Sequence, residues 1–116
     1  MSHFNVQQIG ESTVVEFTSP SLMDPIELEQ IAQQLYSLVD EQDRRRLILD
    51  FEKVQYLSSQ AIGILLALQK KLSALRKSSL VLCGVGARLM ELLRITRLDR
   101  VMTIKPSQKE AIRSLG

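Results

Sequence analysis

Two adjacent serines, Ser58 and Ser59, stand directly before a long apolar run. Serine in that position signals a helix N-cap. Its side-chain oxygen can accept from one of the first N–H groups of the helix, which have no partner within it. The pair would then sit at the positive end of a helix dipole. Taken alone, this pattern is accounted for by a cap and a polar neighbour. Asp24, Asp50 and Glu52 form a second set. Carboxylates that converge at one end of a sheet can hold a cation or do acid–base work. Turns and helix caps also favour acids, and no further motif points to catalysis, so no enzymatic activity is expected. Gly84-Val85-Gly86 lies between an apolar run and a helical pattern, the context of a dinucleotide fingerprint. Leu89 occupies the third glycine position, and a structural turn is the expected role. His3 and Cys83 are the sole histidine and cysteine. One of each, far apart in the chain, cannot assemble a metal cluster, and no cofactor is expected.

Hydrophobic periodicity supplies the scaffold for these residues. Phe4–Ile9 and residues 13–17 flank a Gly10-Glu11 turn and read as an antiparallel hairpin, with Phe4, Val6 and Gln8 sharing one face. Residues 18–23 contain Pro20 and two serines and read as a loop. Asp24-Pro25-Ile26-Glu27 is a strong helix start. Leu28, Ile31, Leu35, Leu38 and Val39 recur at helical spacing as far as Asp40. Residues 47–50 are a short apolar run of the kind found in strands covered on both faces. An extended piece over residues 54–57 leads into Ser58, and residues 59–75 form a helix that is apolar nearly all round as far as Leu68. Its first half is therefore expected to be buried. Ser79–Cys83 is a further strand, residues 87–94 a helix with Leu89, Leu92 and Leu93 inward, and residues 101–104 a last strand. Pro106-Ser107 opens a terminal helix with Ala111, Ile112 and Leu115 on its apolar side. Strands alternating with helices imply right-handed crossovers and a largely parallel sheet. The predicted fold is α/β, a mixed sheet with an N-terminal antiparallel hairpin, then β-α repeats, and about four helices.

Composition narrows the function classes. The 116 residues fit one domain, residues 1–116. Fifteen basic side chains nearly balance thirteen acidic ones, for a net charge of +2. That balance gives no electrostatic case for nucleic acid or an anionic membrane. Arg44, Arg45 and Arg46 follow Asp40, Glu41 and Asp43, and a solvated loop accounts for them. The uninterrupted apolar stretches fall far short of the roughly 20 residues a membrane span needs. Residues 1–10 are polar without an apolar core, so no secretion signal is expected. A single cysteine suits a reducing cytosol, and a cytoplasmic location is expected.

The order of elements, with its loop–serine–helix junction, resembles the STAS domain, and more narrowly the bacterial anti-sigma-factor antagonists. In that family the junction reads Asp-Ser-(Ser/Thr)-Gly-hydrophobic-Gly, and the serine after the aspartate is phosphorylated. The matching residues here are Leu57-Ser58-Ser59-Gln60-Ala61-Ile62-Gly63. Leu57 stands in the aspartate position, Gln60 in that of the first glycine, and Gly63 one residue past that of the second. Thr96-Arg97-Leu98 stands where Ser-Gly-Leu often follows the later helix. The resemblance implies a phosphoacceptor at Ser58 with Ser59 beside it. It also implies a partner surface made of Asp24, Leu57, Ser58, Ser59 and Gln60, with Leu57 adding apolar character to it. The implied partner is an anti-sigma factor with serine kinase activity; binding it frees a sigma factor, and phosphorylation of Ser58 switches binding off. Neither direct nucleic-acid contact nor membrane insertion is implied. The alternatives within the same fold are a STAS accessory subunit of a membrane transporter and an unswitched adaptor domain.

Overall fold

A computed structural model of the protein describes residues 4–115, so His3 lies outside the described residues. The elements run in order β1 (Phe4–Ile9), β2 (Ser12–Phe17), β3 (Ser21–Leu22), α1 (Pro25–Asp40), β4 (Arg46–Asp50) and β5 (Tyr56–Leu57). They continue with α2 (Ser59–Ser73), β6 (Ser79–Cys83), α3 (Ala87–Ile95), a 3-10 turn at Leu98–Arg100, β7 (Thr103–Lys105) and α4 (Gln108–Leu115). The expected architecture holds. β1 and β2 pair antiparallel, and β2, β4, β6 and β7 run parallel in the sheet order β1-β2-β4-β6-β7. Gly10, at φ 61°, opens the hairpin turn in the left-handed geometry that glycine adopts without steric cost.

The sheet order fixes the layers. Each crossover moves the chain to the next strand in the same direction, so right-handed connections lay α1, α2 and α3 on one face. Alternation along the strands sends Val15, Phe17, Leu47, Leu49, Leu80 and Leu82 toward those helices. Val14, Ile48, Val81 and Cys83 point the other way, where α4 covers them with Ala111, Ile112 and Leu115. Contiguous apolar runs in β4 and β6 are explained by this: both of their faces are buried.

Three expectations need correction. Residues 18–23 are not wholly loop, because Ser21–Leu22 pairs in parallel with Tyr56–Leu57 as a separate two-stranded sheet. Two residues carry no periodicity, and the partner lies far along the chain. Phe4, Val6 and Gln8 alternate along β1 and share one face as expected, with Phe4 buried, Val6 47% exposed and Gln8 exposed. The first half of α2 is not buried all round. Ala61, Ile64, Leu65, Leu68 and Leu72 are buried, whereas Gly63 is exposed and Leu66 is 42% exposed. α2 packs on the sheet and on α1, and its remaining side meets solvent. Likewise Val101 is 54% exposed, and the last strand starts only at Thr103.

Gly63 leads to a stability prediction. A Cβ built there meets nothing within 4 Å, and the residue lies inside a regular helix. Glycine in a helix interior costs about 0.5–1 kcal/mol relative to alanine. Gly63→Ala is expected to stabilise the fold by that amount, read as a higher urea midpoint at unchanged slope. A lower midpoint would show that this backbone position is strained.

Candidate functional site

The site is assembled where the small β3–β5 sheet delivers the chain into α2. Leu22 and Leu57 are paired residues of that sheet, and the Ser58 N–H donates to the Leu22 carbonyl at 3.2 Å. The backbone entering α2 is thereby tied to the segment that enters α1. Ser58 has extended geometry, φ −88° and ψ 169°, and is the N-cap of α2. Its Oγ accepts from the Ala61 N–H at 3.2 Å, and its carbonyl accepts from the Ile62 N–H at 3.1 Å. The cap anticipated from sequence is present. Ser58 is half-buried, while Ser59 and Gln60 are exposed. The first turn of α2 carries no acidic side chain, so nothing there offsets the positive end of its dipole.

α1 begins beside this junction. Asp24 caps it, its Oδ1 accepting from the Ile26 N–H at 3.0 Å. Gln60 reaches across from α2 and donates through Nε2 to the Pro25 carbonyl at 3.5 Å. Asp24, Leu57, Ser58, Ser59 and Gln60 therefore occupy one neighbourhood. Leu57 differs from expectation: it is half-buried and packs against the core, so it gives that surface little apolar area. The exposed apolar groups are Ile26 at 72%, Met23 at 50% and Tyr56 at 43%. Sequence reasoning missed all three. Met23 and Ile26 straddle the α1 cap, and Tyr56 sits two residues before Ser58. The Arg88 guanidinium lies over the Tyr56 ring, 5.1 Å from its centroid, bringing the first turn of α3 to the same surface.

The other candidates serve the scaffold. Asp50 is buried; its Oδ1 accepts from the Glu52 N–H at 2.8 Å and its Oδ2 from Gln108 Nε2 at 2.5 Å. Asp50 and Glu52 line one open cavity with Gly84 and Pro106, whereas Asp24 caps α1 and takes no part in it. Among the described residues no group of three or more His, Cys, Asp or Glu is placed to hold a metal ion. Gly84, at φ 66°, is required by geometry, since a Cβ there would stand 2.7 Å from Asp50 Oδ1 and 2.9 Å from the Glu52 nitrogen. The Gly84-Val85-Gly86 segment is thus a turn packed on the end of β4. Cys83 is fully buried, and its thiol is pushed up to about 12 by burial first and then by the charges of Asp50 and Glu52. It therefore stays protonated and unreactive at neutral pH. Alkylation of the native protein by iodoacetamide at pH 8 is expected to follow the rate of unfolding; rapid stoichiometric labelling would contradict this burial.

These features define a class. The STAS domain model matches residues 3–111, and the chain belongs to that family. At 28% identity over 108 residues it is similar to the anti-sigma-B factor antagonist of Listeria monocytogenes, with 93% of this chain and 83% of that protein covered. Its fold is that of an anti-sigma-factor antagonist domain protein from Planctomyces limnophilus, at TM-score 0.89 and 24% identity, covering 100% of this chain and 99% of that one. It also matches the Bacillus cell fate determinant SpoIIAA in its phosphorylated form, at TM-score 0.75 and 19% identity, covering 97% and 99% of the two chains. Among the described residues no helix is long and apolar enough to cross a membrane.

Proposed function

We propose that this protein is an anti-sigma-factor antagonist: one STAS domain, residues 1–116, that works in the cytoplasm, binds an anti-sigma factor and thereby frees a sigma factor. It is the substrate of a serine kinase and not itself an enzyme. The observation that carries this reading is Ser58 capping a helix at a surface where Met23, Ile26 and Tyr56 are exposed. Asp24, Ser59 and Gln60 supply the polar part of the contact, and Leu57 holds the junction in place from below.

The same geometry supports control by phosphorylation of Ser58, with Ser59 as the neighbouring hydroxyl. Transfer of a phosphoryl group to Ser58 Oγ adds about −1.5 to −2 charge and three acceptor oxygens. Those oxygens can take over the Ala61 N–H that Oγ now serves, and the dipole favours their charge. The modified domain therefore stays folded. A docked partner would instead cover an anion beside apolar side chains, with few donors to satisfy it. A penalty of only about 2.7 kcal/mol weakens binding a hundredfold.

A pull-down with the full chain tests the class of partner. Recovery of a small ATP-binding regulator is expected; recovery of a transporter ATPase instead would establish the accessory-subunit role. Incubation with the kinase and ATP, followed by phosphopeptide mapping, is expected to label Ser58. Labelling at neither Ser58 nor Ser59, with partner binding intact, would establish an unswitched adaptor.

A further inference from the structure

One cation at the Ser58 surface is held by a ring and by no carboxylate. Arg88 lies in the first turn of α3 and is exposed, and its guanidinium carbon stands 5.1 Å from the centroid of the Tyr56 ring. Among the described residues no carboxylate forms an ion pair with it. Glu52 lines the same open cavity as Arg88 without pairing to it. The first turns of α2 and α3 carry no acidic side chain.

Strand geometry turns Ser58 toward the same side as the ring. Residues 56–58 are extended, with Tyr56–Leu57 in β5 and Ser58 at φ −88° and ψ 169°. Side chains alternate along such a segment. Leu57 packs against the core, so Tyr56 and Ser58 both point away from it. Their Cα atoms are about 7 Å apart at the rise of an extended chain. Rotation about the bonds of the arginine side chain carries its guanidinium from the ring of Tyr56 toward Ser58.

We infer that Arg88 is the receptor for a phosphoryl group on Ser58: its guanidinium leaves the Tyr56 ring and pairs with two phosphate oxygens. This rests on Ser58 as the phosphoacceptor and adds the residue that holds the modified state. Transfer from ATP forms the P–Oγ bond, breaks the bond to ADP and releases the hydroxyl proton; Arg88 binds the product of that step. The planar fork of arginine matches phosphate oxygens in pairs. A cation over a ring at an exposed site is the weaker contact. The phosphate then joins the Ala61 N–H of α2 to Arg88 of α3. Tyr56 loses its cation, so the partner surface changes in shape as well as in charge.

The test uses the full chain with phosphoserine incorporated at position 58 during synthesis, alone and with Arg88→Gln or Arg94→Gln. Phosphorus NMR follows the second ionisation of the phosphate, which lies near about pH 6 when unperturbed. A facing guanidinium favours the dianion, so the parent is expected to ionise at a pH about 0.5 or more below Arg88→Gln. Asp24 and Glu52 act alike in all three chains, so the difference reports Arg88. Arg94, near the other end of α3, is exposed, and Arg94→Gln is expected to titrate as the parent does. In the parent, the Arg88 Nε–H signal is expected to move between the unmodified and phosphorylated chains, a measurement that needs no variant. Equal titration of the parent and Arg88→Gln, an equal effect of Arg94→Gln, or an unmoved Arg88 signal would each overturn the inference. No kinase enters these measurements. A kinase that labels neither serine would instead overturn the proposed regulation.

Discussion

Replacing Ser58 with aspartate is expected to weaken binding of the anti-sigma factor about a hundredfold while leaving fold stability close to that of the parent. Aspartate is as good an N-cap as serine, and its charge suits the N-terminus of α2. The loss must then arise at the interface. Ser58→Asn separates charge from shape. Asparagine caps equally well and is neutral, so binding is expected to stay within a few-fold of the parent. Ser58→Ala removes the Oγ contact to the Ala61 N–H and should cost about 1 kcal/mol of stability. Its binding should still exceed that of Ser58→Asp. Calorimetric titration of the three variants, together with urea unfolding, reads both quantities. Equal affinities for the aspartate and asparagine variants would remove charge at position 58 as the gate.

Phe17→Ala is expected to produce the largest loss of stability, about 3–5 kcal/mol. Phe17 is 2% exposed at the end of β2 and sits between two other rings. The Phe4 ring meets it edge-on at 6.0 Å, and the Phe51 ring is tilted against it at 5.1 Å. Phe17 also helps line a small apolar cavity with Leu22, Phe51, Leu57 and Ala61. Those side chains form the floor beneath the Ser58 junction. The truncation is therefore expected to loosen the binding surface as well as the core. Urea unfolding measures the first effect. Faster amide exchange at Ala61 and Ile62 than the global loss accounts for would measure the second. A cost below about 1 kcal/mol would mean that the core closes around the lost ring.

The junction was legible in the sequence because it depends on local rules. A serine before an apolar run, an aspartate before proline at a helix start, and contiguous apolar strands each follow from capping and burial. The parts that were not legible depend on what lies opposite. Ser21–Leu22 forms a strand only because Tyr56–Leu57 comes alongside. Leu57 is apolar in sequence, but whether it faces solvent or core is set by Phe17 and Phe51, which lie elsewhere in the chain. α2 looks buried because its first half is nearly all apolar, yet Gly63 and Leu66 lie on a side that no element covers. Met23, Ile26 and Tyr56 gave no periodic signal, since each sits at an element boundary. An apolar residue at such a boundary is a reason to look for a contact surface once the neighbouring element ends are known.

The central claim is that the charge on one hydroxyl at the mouth of α2 decides whether a partner can dock. The most direct measurement is a calorimetric titration of one anti-sigma factor with two forms of this chain, unmodified and phosphorylated only at Ser58. A dissociation constant about a hundredfold weaker for the phosphorylated form, with both forms unfolding at similar temperature, is the predicted result. Equal constants for the two forms would contradict it.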